Sequence, residues 1–140
     1  MEYHELSLEK VRMQSVRGRH NLVRIDNLLR PGMPFEAWDE EGFDQLAQRV
    51  VSARRNGRPV IFSIGAHVVK SGLGPYLIAL MKAGIITHIA GNGACSIHDF
   101  ELAFLGGTSE DVPTAIEDGS FGMWEETGRW MNEAINRGAE

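Results

Sequence analysis

The chain has 140 residues, 43% of them hydrophobic and 24% charged, with a net charge of −5. That is the size and balance of one folded domain, and it excludes a collagen-like, disordered or strongly nucleic-acid-binding chain. A single cysteine excludes a disulfide framework and a four-cysteine zinc site and fits a reducing cytosol.

The opening stretch MEYHELSLEKVR has early acids and no apolar run, so no secretory signal is expected there. No apolar run in the sequence approaches a membrane span, so the expectation is a cytoplasmic protein without a membrane partner. Residues 1–70 carry eleven Lys/Arg and nine Asp/Glu, whereas residues 71–140 carry three and ten. Arg12, Arg17, Arg19, Arg24 and Arg30 fall in the first thirty positions, where two readings compete: an RNA-binding arm, or a segment docking on the acidic half of its own chain or a neighbour's. Glu9 and Asp26 interrupt the block and no aromatic residues interleave with it, which favours docking and no nucleic-acid partner.

Arg30-Pro31-Gly32-Met33-Pro34 reads as a linker, since two prolines and a glycine continue neither helix nor ladder. It divides a basic arm, residues 1–35, from an α/β domain, residues 36–140. Phe43, Leu46, Ala47, Val50 and Val51 recur at helical spacing, with Glu40, Glu41 and Asp44 suiting the start of a helix that Asn56-Gly57 ends. Val60–Ile64 reads as a strand, Gly65–Gly72 as a loop, Leu73–Ala83 as a helix with Pro75 in its first turn, and Ile85–Ala90 as a second strand. Strand, helix and strand in this order make a parallel βαβ unit, and the continuous apolar runs predict a sheet covered on both faces. Helices are expected at about 94–105, at 109–117 from a Thr108–Asp111 cap, and at 121–137, the last presenting Trp124, Thr127, Met131, Ala134 and Ile135 on one face.

In open parallel sheets ligands bind beyond the carboxyl ends of the strands. Two loops qualify here, Gly65–Gly72 and Gly91–Ser96. The second is a strand, then G-x-G, then a helix start, where glycine lets the backbone approach a phosphate and free N–H groups hold it. A plain strand-to-helix turn has the same pattern. Lys70 is the one lysine in either loop and a natural phosphate contact. Cys95, His98 and Asp99 share the start of the following helix, as a metal or nucleophile set or as a buried cysteine beside a capping aspartate. His88, inside the second strand, reads as a packed core residue.

Taken together, the two loops resemble deoxyhypusine synthase. Its strand-end pattern T-S-N-L-x-S-S-G is similar to Gly65-Ala66-His67-Val68-Val69-Lys70-Ser71-Gly72, and its T-T-A-G-G-V-E-E-D falls on Gly91 through Asp99 with no gap between the two. The stretch Asn92-Gly93-Ala94, Ile97-His98-Asp99-Phe100-Glu101 and Gly107–Val112 is still more similar to a bacterial branch related to that enzyme. The resemblance spans about 40–135 and is strongest over 65–112.

The resemblance implies a Rossmann-like, NAD-binding parallel sheet with helices on both faces, built as a homotetramer with active sites at subunit interfaces. The family enzyme uses NAD to oxidise spermidine and moves its aminobutyl group, through a lysine imine, to a protein lysine. Carried over, Ala66, His67, Val68, Val69 and Lys70 lie along the NAD, and Asn92, Gly93 and Ala94 meet it from the second strand. His98 takes the place of a polyamine-holding carboxylate, Ile97 replaces its acidic neighbour, and Asp99 is the acid that remains. Family members are roughly twice as long, and their imine-forming lysine lies in the other half. Lys70 and Lys82, the only lysines beyond residue 10, match no such position. The expectation is therefore the front part of a longer protein, or a chain completed by partner chains, that does not catalyse alone. Two other readings stand beside it: a non-catalytic assembly module using the Trp/Met-bearing last helix and the basic arm, and a small metal- or thiol-dependent hydrolase using Cys95, His98 and Asp99.

Overall fold

The computed structural model describes residues 7–36 and 39–139. The first six residues of the expected arm lie outside that range. In chain order the elements are β1 (Asn21–Arg24), α1 (Phe43–Arg55), β2 (Ile61–Ser63), α2 (Ala66–Lys70), α3 (Gly74–Lys82), β3 (His88–Ala90), α4 (Gly93–Leu105), β4 (Gly107–Glu110), α5 (Val112–Asp118) and α6 (Glu125–Gly138). The class is mixed α/β, helix-rich with little sheet: β2 pairs with β3 and β1 with β4. No helix among the described residues is long and apolar enough to cross a membrane. The chain divides into two units, residues 23–108 and residues 1–22 with 109–140.

In the first unit the expected βαβ arrangement is present. β2 and β3 run parallel with Ile61 opposite His88, Phe62 opposite Ile89 and Ser63 opposite Ala90. Thr87 fixes the start of this register, its Oγ1 accepting from the Val60 amide at 2.9 Å and donating to the Val60 carbonyl at 3.0 Å. The Arg54 guanidinium ties α1 to the turn before β3, donating to the carbonyls of Gly84 (2.7 Å) and Arg58 (2.6 Å). The Gly65–Gly72 segment is not a loop throughout, because it winds into the five-residue α2. Gly72 closes α2 with φ +84° and is buried against the backbone of residues 27–29, where a Cβ would lie 3.2 Å from Leu28 Cα and Leu29 N. Only glycine meets both demands.

The core of this unit is Val69, Leu77, Ile86, Cys95 and Leu102. The parallel strands are not part of it. Every residue of β2 and β3 is exposed, Ile61 to 64% and Ile89 to 40%, so the expected cover on both faces is absent. Apolar strand sequence records what a parallel sheet needs around it, and three-residue strands in a pair do not enclose themselves. His88 is correspondingly exposed, not a core residue.

In the second unit, residues 14–19 dock on the acidic end of the same chain. Gln14 bridges Trp124 in parallel, its amide donating to the Met123 carbonyl and its carbonyl accepting from the Glu125 amide, both at 2.8 Å. Glu126 accepts from Ser15 Oγ at 2.6 Å and from the Val16 amide at 2.7 Å, and Arg19 lies 5.3 Å over the Trp124 ring. Backbone and hydroxyl donors thus hold this segment, and Arg19 adds a cation on an aromatic face. Helix starts differ from expectation. Residues 107–110 form β4 and α5 begins at Val112, because the Thr108 side chain that would cap an earlier start is bonded elsewhere. Gly122, at φ +73°, delays α6 to Glu125.

Candidate functional site

Just past the carboxyl ends of β2 and β3, residues 23–108 form a cleft of about 590 Å³. Ile64, Val69, Leu77, Ile78, Met81 and Ile89 make an apolar wall. The rest of the lining is Gly91 and the N-cap Asn92, followed by Gly93, Cys95, Ser96 and Asp99 from the first two turns of α4. The volume is within the usual range for small-molecule sites, and a mostly apolar lining with a few convergent polar groups is their usual character.

Two glycines shape the polar end for different reasons. A Cβ on Gly91 would meet Cys95 Sγ at 3.2 Å and Cβ at 3.3 Å, so its glycine allows α4 to pack closely on the strand end. Around Gly93 there is nothing within 4 Å of such a Cβ, so the backbone there is open to a ligand. Asn92, not an aspartate, caps α4: its Oδ1 accepts from the Cys95 amide at 3.2 Å. The buried Cys95 sulfur lies 3.4 Å from Asn92 Oδ1 and 3.6 Å from the Ile64 carbonyl, so its proton has acceptors within the fold.

Of the expected site residues, Asn92, Gly93, Val69 and Asp99 line the cleft; Ala66, His67, Val68, Lys70, Ala94 and His98 do not. Val69 is buried and supplies packing, while Lys70 is half-buried and His67 exposed on α2. His98 turns away from the Cys95/Asp99 pair to the start of β4. Its Nδ1 is 2.7 Å from Thr108 Oγ1, and that hydroxyl donates to Glu101 Oε2 at 2.5 Å. The imidazole, the hydroxyl and the carboxylate thus form one chain of contacts from α4 to the start of β4. Glu101 is 2% exposed and Thr108 is fully buried. The set Cys95, His98 and Asp99 is therefore divided, and no group of three or more His, Cys, Asp or Glu among the described residues could hold a metal.

Glu101 and Thr108 are the residues that sequence reasoning missed. Glu101 follows His98 by one helical turn, which is a visible signal, but Thr108 reads as a helix cap.

The lining suits a dinucleotide in part. The α4 backbone and the open Gly93 fit a pyrophosphate, the apolar wall fits a planar ring, and the Asp99 carboxylate can accept from ribose hydroxyls. Among the described residues, no lysine or arginine lines the cleft. No protein-family model, no curated protein and no solved structure matches this chain.

Proposed function

We propose that residues 23–108 are the NAD-binding part of a deoxyhypusine-synthase-like protein, and that this chain does not carry out aminobutyl transfer by itself. The carrying observation is the cleft at the carboxyl ends of a parallel strand pair, with Gly91-Asn92-Gly93 and the start of α4 at one end. On this reading β2 and β3 are the seed of a Rossmann-like sheet, and the exposed apolar strand faces are where its further layers belong. NAD, when bound, supplies the hydride acceptor that oxidises a polyamine. The residues of this chain would bind and orient it: the open backbone at Gly93 on the pyrophosphate, the apolar wall that includes Ile64 and Ile89 on a ring, and Asp99 on a ribose or on a substrate ammonium.

Lysine placement supports the non-catalytic half of the reading. Lys70 ends α2 and Lys82 ends α3, and neither lines the cleft, so neither presents an amine for imine formation there. The one cysteine, a buried thiol, suits a reducing cytosol.

Thermal unfolding with and without NAD tests the cofactor. A ligand at 100 times its Kd stabilises by about 2.7 kcal/mol, which raises the midpoint by several degrees. Gly93→Asp should leave the ligand-free midpoint near that of the parent, since its side chain enters open space, and should abolish the rise. No shift with NAD or NADH overturns the assignment. A second reading, an assembly module without cofactor, is favoured by the exposed Ile61, Phe62 and Ile89. Light scattering that finds a strict monomer at micromolar concentration contradicts it.

A further inference from the structure

We propose that Asn92-Gly93 is a self-modification site, at which the Gly93 backbone nitrogen attacks the Asn92 side-chain amide and the asparagine becomes an acid. The chain contains this dipeptide twice, at Asn56-Gly57 and at Asn92-Gly93. In both, the glycine leaves the attacking nitrogen without a shielding Cβ, so the local sequence ranks them equally. The fold does not, because one pair closes the C-terminus of α1 and the other opens the N-terminus of α4.

The reaction has two steps. The Gly93 nitrogen gives up its proton and bonds to Asn92 Cγ, while Oδ1 takes the negative charge of the tetrahedral intermediate. The Cγ–Nδ2 bond then breaks, releasing ammonia and leaving a five-membered imide. Water opens the imide at either carbonyl to give aspartate or isoaspartate, so amide and water become carboxylate and ammonium.

The groups at α4 are set for this. Asn92 Oδ1 already accepts from the Cys95 amide at 3.2 Å, so a donor faces the atom on which charge develops. The positive end of the helix dipole favours the same charge. Among the described residues, neither the Gly93 amide nor Asn92 Nδ2 donates to a protein group, which leaves the attacking nitrogen and the leaving group unrestrained. Nothing lies within 4 Å of a Cβ built on Gly93, so the peptide has room to turn toward Cγ, and Asn92 is exposed to the water that opens the imide. At α1 the terms are reversed. Asn56 Nδ2 donates to the Ser52 carbonyl at 2.9 Å and the Gly57 amide to the Arg54 carbonyl at 3.1 Å. The negative end of the dipole there opposes a developing anion.

The consequence for the cleft rests on the NAD reading above. Asn92 lines the polar end, so conversion sets a carboxylate where the pyrophosphate would lie. The isoaspartyl form also lengthens the backbone at the cap of α4. Bound NAD in turn would shield Asn92 from ring closure.

Peptide mapping by mass spectrometry of the full chain, aged at mildly alkaline pH with and without urea, tests this. In the folded protein Asn92 should convert faster than Asn56 by about tenfold or more, giving both aspartate and isoaspartate. In urea, where both pairs lose their surroundings, the two rates should converge. An Asn92 that stays an amide, equal rates in the folded chain, or a preference for Asn92 that persists in urea would each overturn the proposal. NAD present during ageing should slow the change at Asn92 alone. Conversion of Asn92 that NAD leaves unslowed supports this site and contradicts the cofactor reading.

Discussion

Gly91 and Gly93 are two positions apart and carry opposite loads. At Gly91 a methyl group would press on Cys95 at 3.2–3.3 Å, and at Gly93 it would meet nothing. Gly91→Ala should therefore lower stability by about 1–2 kcal/mol, the scale of mild overpacking, while Gly93→Ala should change it by less than about 0.5 kcal/mol. Urea midpoints of the two variants check this, and equal effects would contradict the packing geometry. Thr108 carries a heavier load, since its hydroxyl serves both Glu101 and His98 in a buried setting. Thr108→Val should cost about 2–3 kcal/mol by leaving Glu101 without that partner, and Thr108→Ser should recover most of the loss. Little of this was legible beforehand. A G-x-G after an apolar run announces a turn at a helix start, but which glycine faces a neighbour depends on the packing of α4. Likewise Thr108 looks like a cap until a buried glutamate claims its proton.

At the scale of elements, the longer ones follow their local signals. α1 ends at Asn56 as its Asn-Gly predicts, and the parallel pairing of β2 with β3 follows from two short apolar runs separated by a helical stretch. α2 was not legible, because five residues between two glycines carry no period. The exposure of β2 was not legible either, since apolar sequence states a requirement for cover and not its source. That exposure has a measurable consequence. Ile61→Thr should change stability by no more than about 0.5 kcal/mol, whereas Leu77→Ala, in the core of the same unit, should cost about 2–4 kcal/mol. Chemical denaturation distinguishes them, and an Ile61→Thr loss approaching that of Leu77→Ala would contradict the open sheet face.

The docked arm gives an element-scale prediction with a sign in pH. The Ser15 hydroxyl, then the Val16 amide, holds the Glu126 carboxyl below the ordinary glutamate range. A carboxylate depressed in the folded state adds stability above its unfolded pKa and loses it as pH falls through the folded one. Asp118, depressed by the Ser120 side chain and amide, acts in the same direction. The stability difference between the parent and Glu126→Gln should thus be constant near neutral pH and shrink as pH falls from about 5 toward 2. A difference that grows with acidification would contradict the Ser15–Glu126–Val16 clasp.

Over the whole molecule, an ordinary composition conceals an uneven distribution of charge and of cover. The −5 net charge combines a slightly basic first half with a strongly acidic second half, and part of that asymmetry is used where residues 14–19 meet Trp124 and Glu126. Apolar side chains are left in water on β2, β3 and α6, each a surface that a further layer or copy would bury. The cleft with Asn92, Gly93 and Asp99 in its lining and the open apolar faces of β2 and β3 are the features on which the proposed NAD binding rests. The central claim is that the cleft binds NAD, and backbone amide NMR tests it most directly. On titration with NAD, the resonances of Gly91, Asn92, Gly93, Ala94 and Cys95 should shift while those of α6 remain in place, and Gly93→Asp should remove the effect. Unmoved resonances at Gly91–Cys95, or shifts confined to other residues, would contradict it.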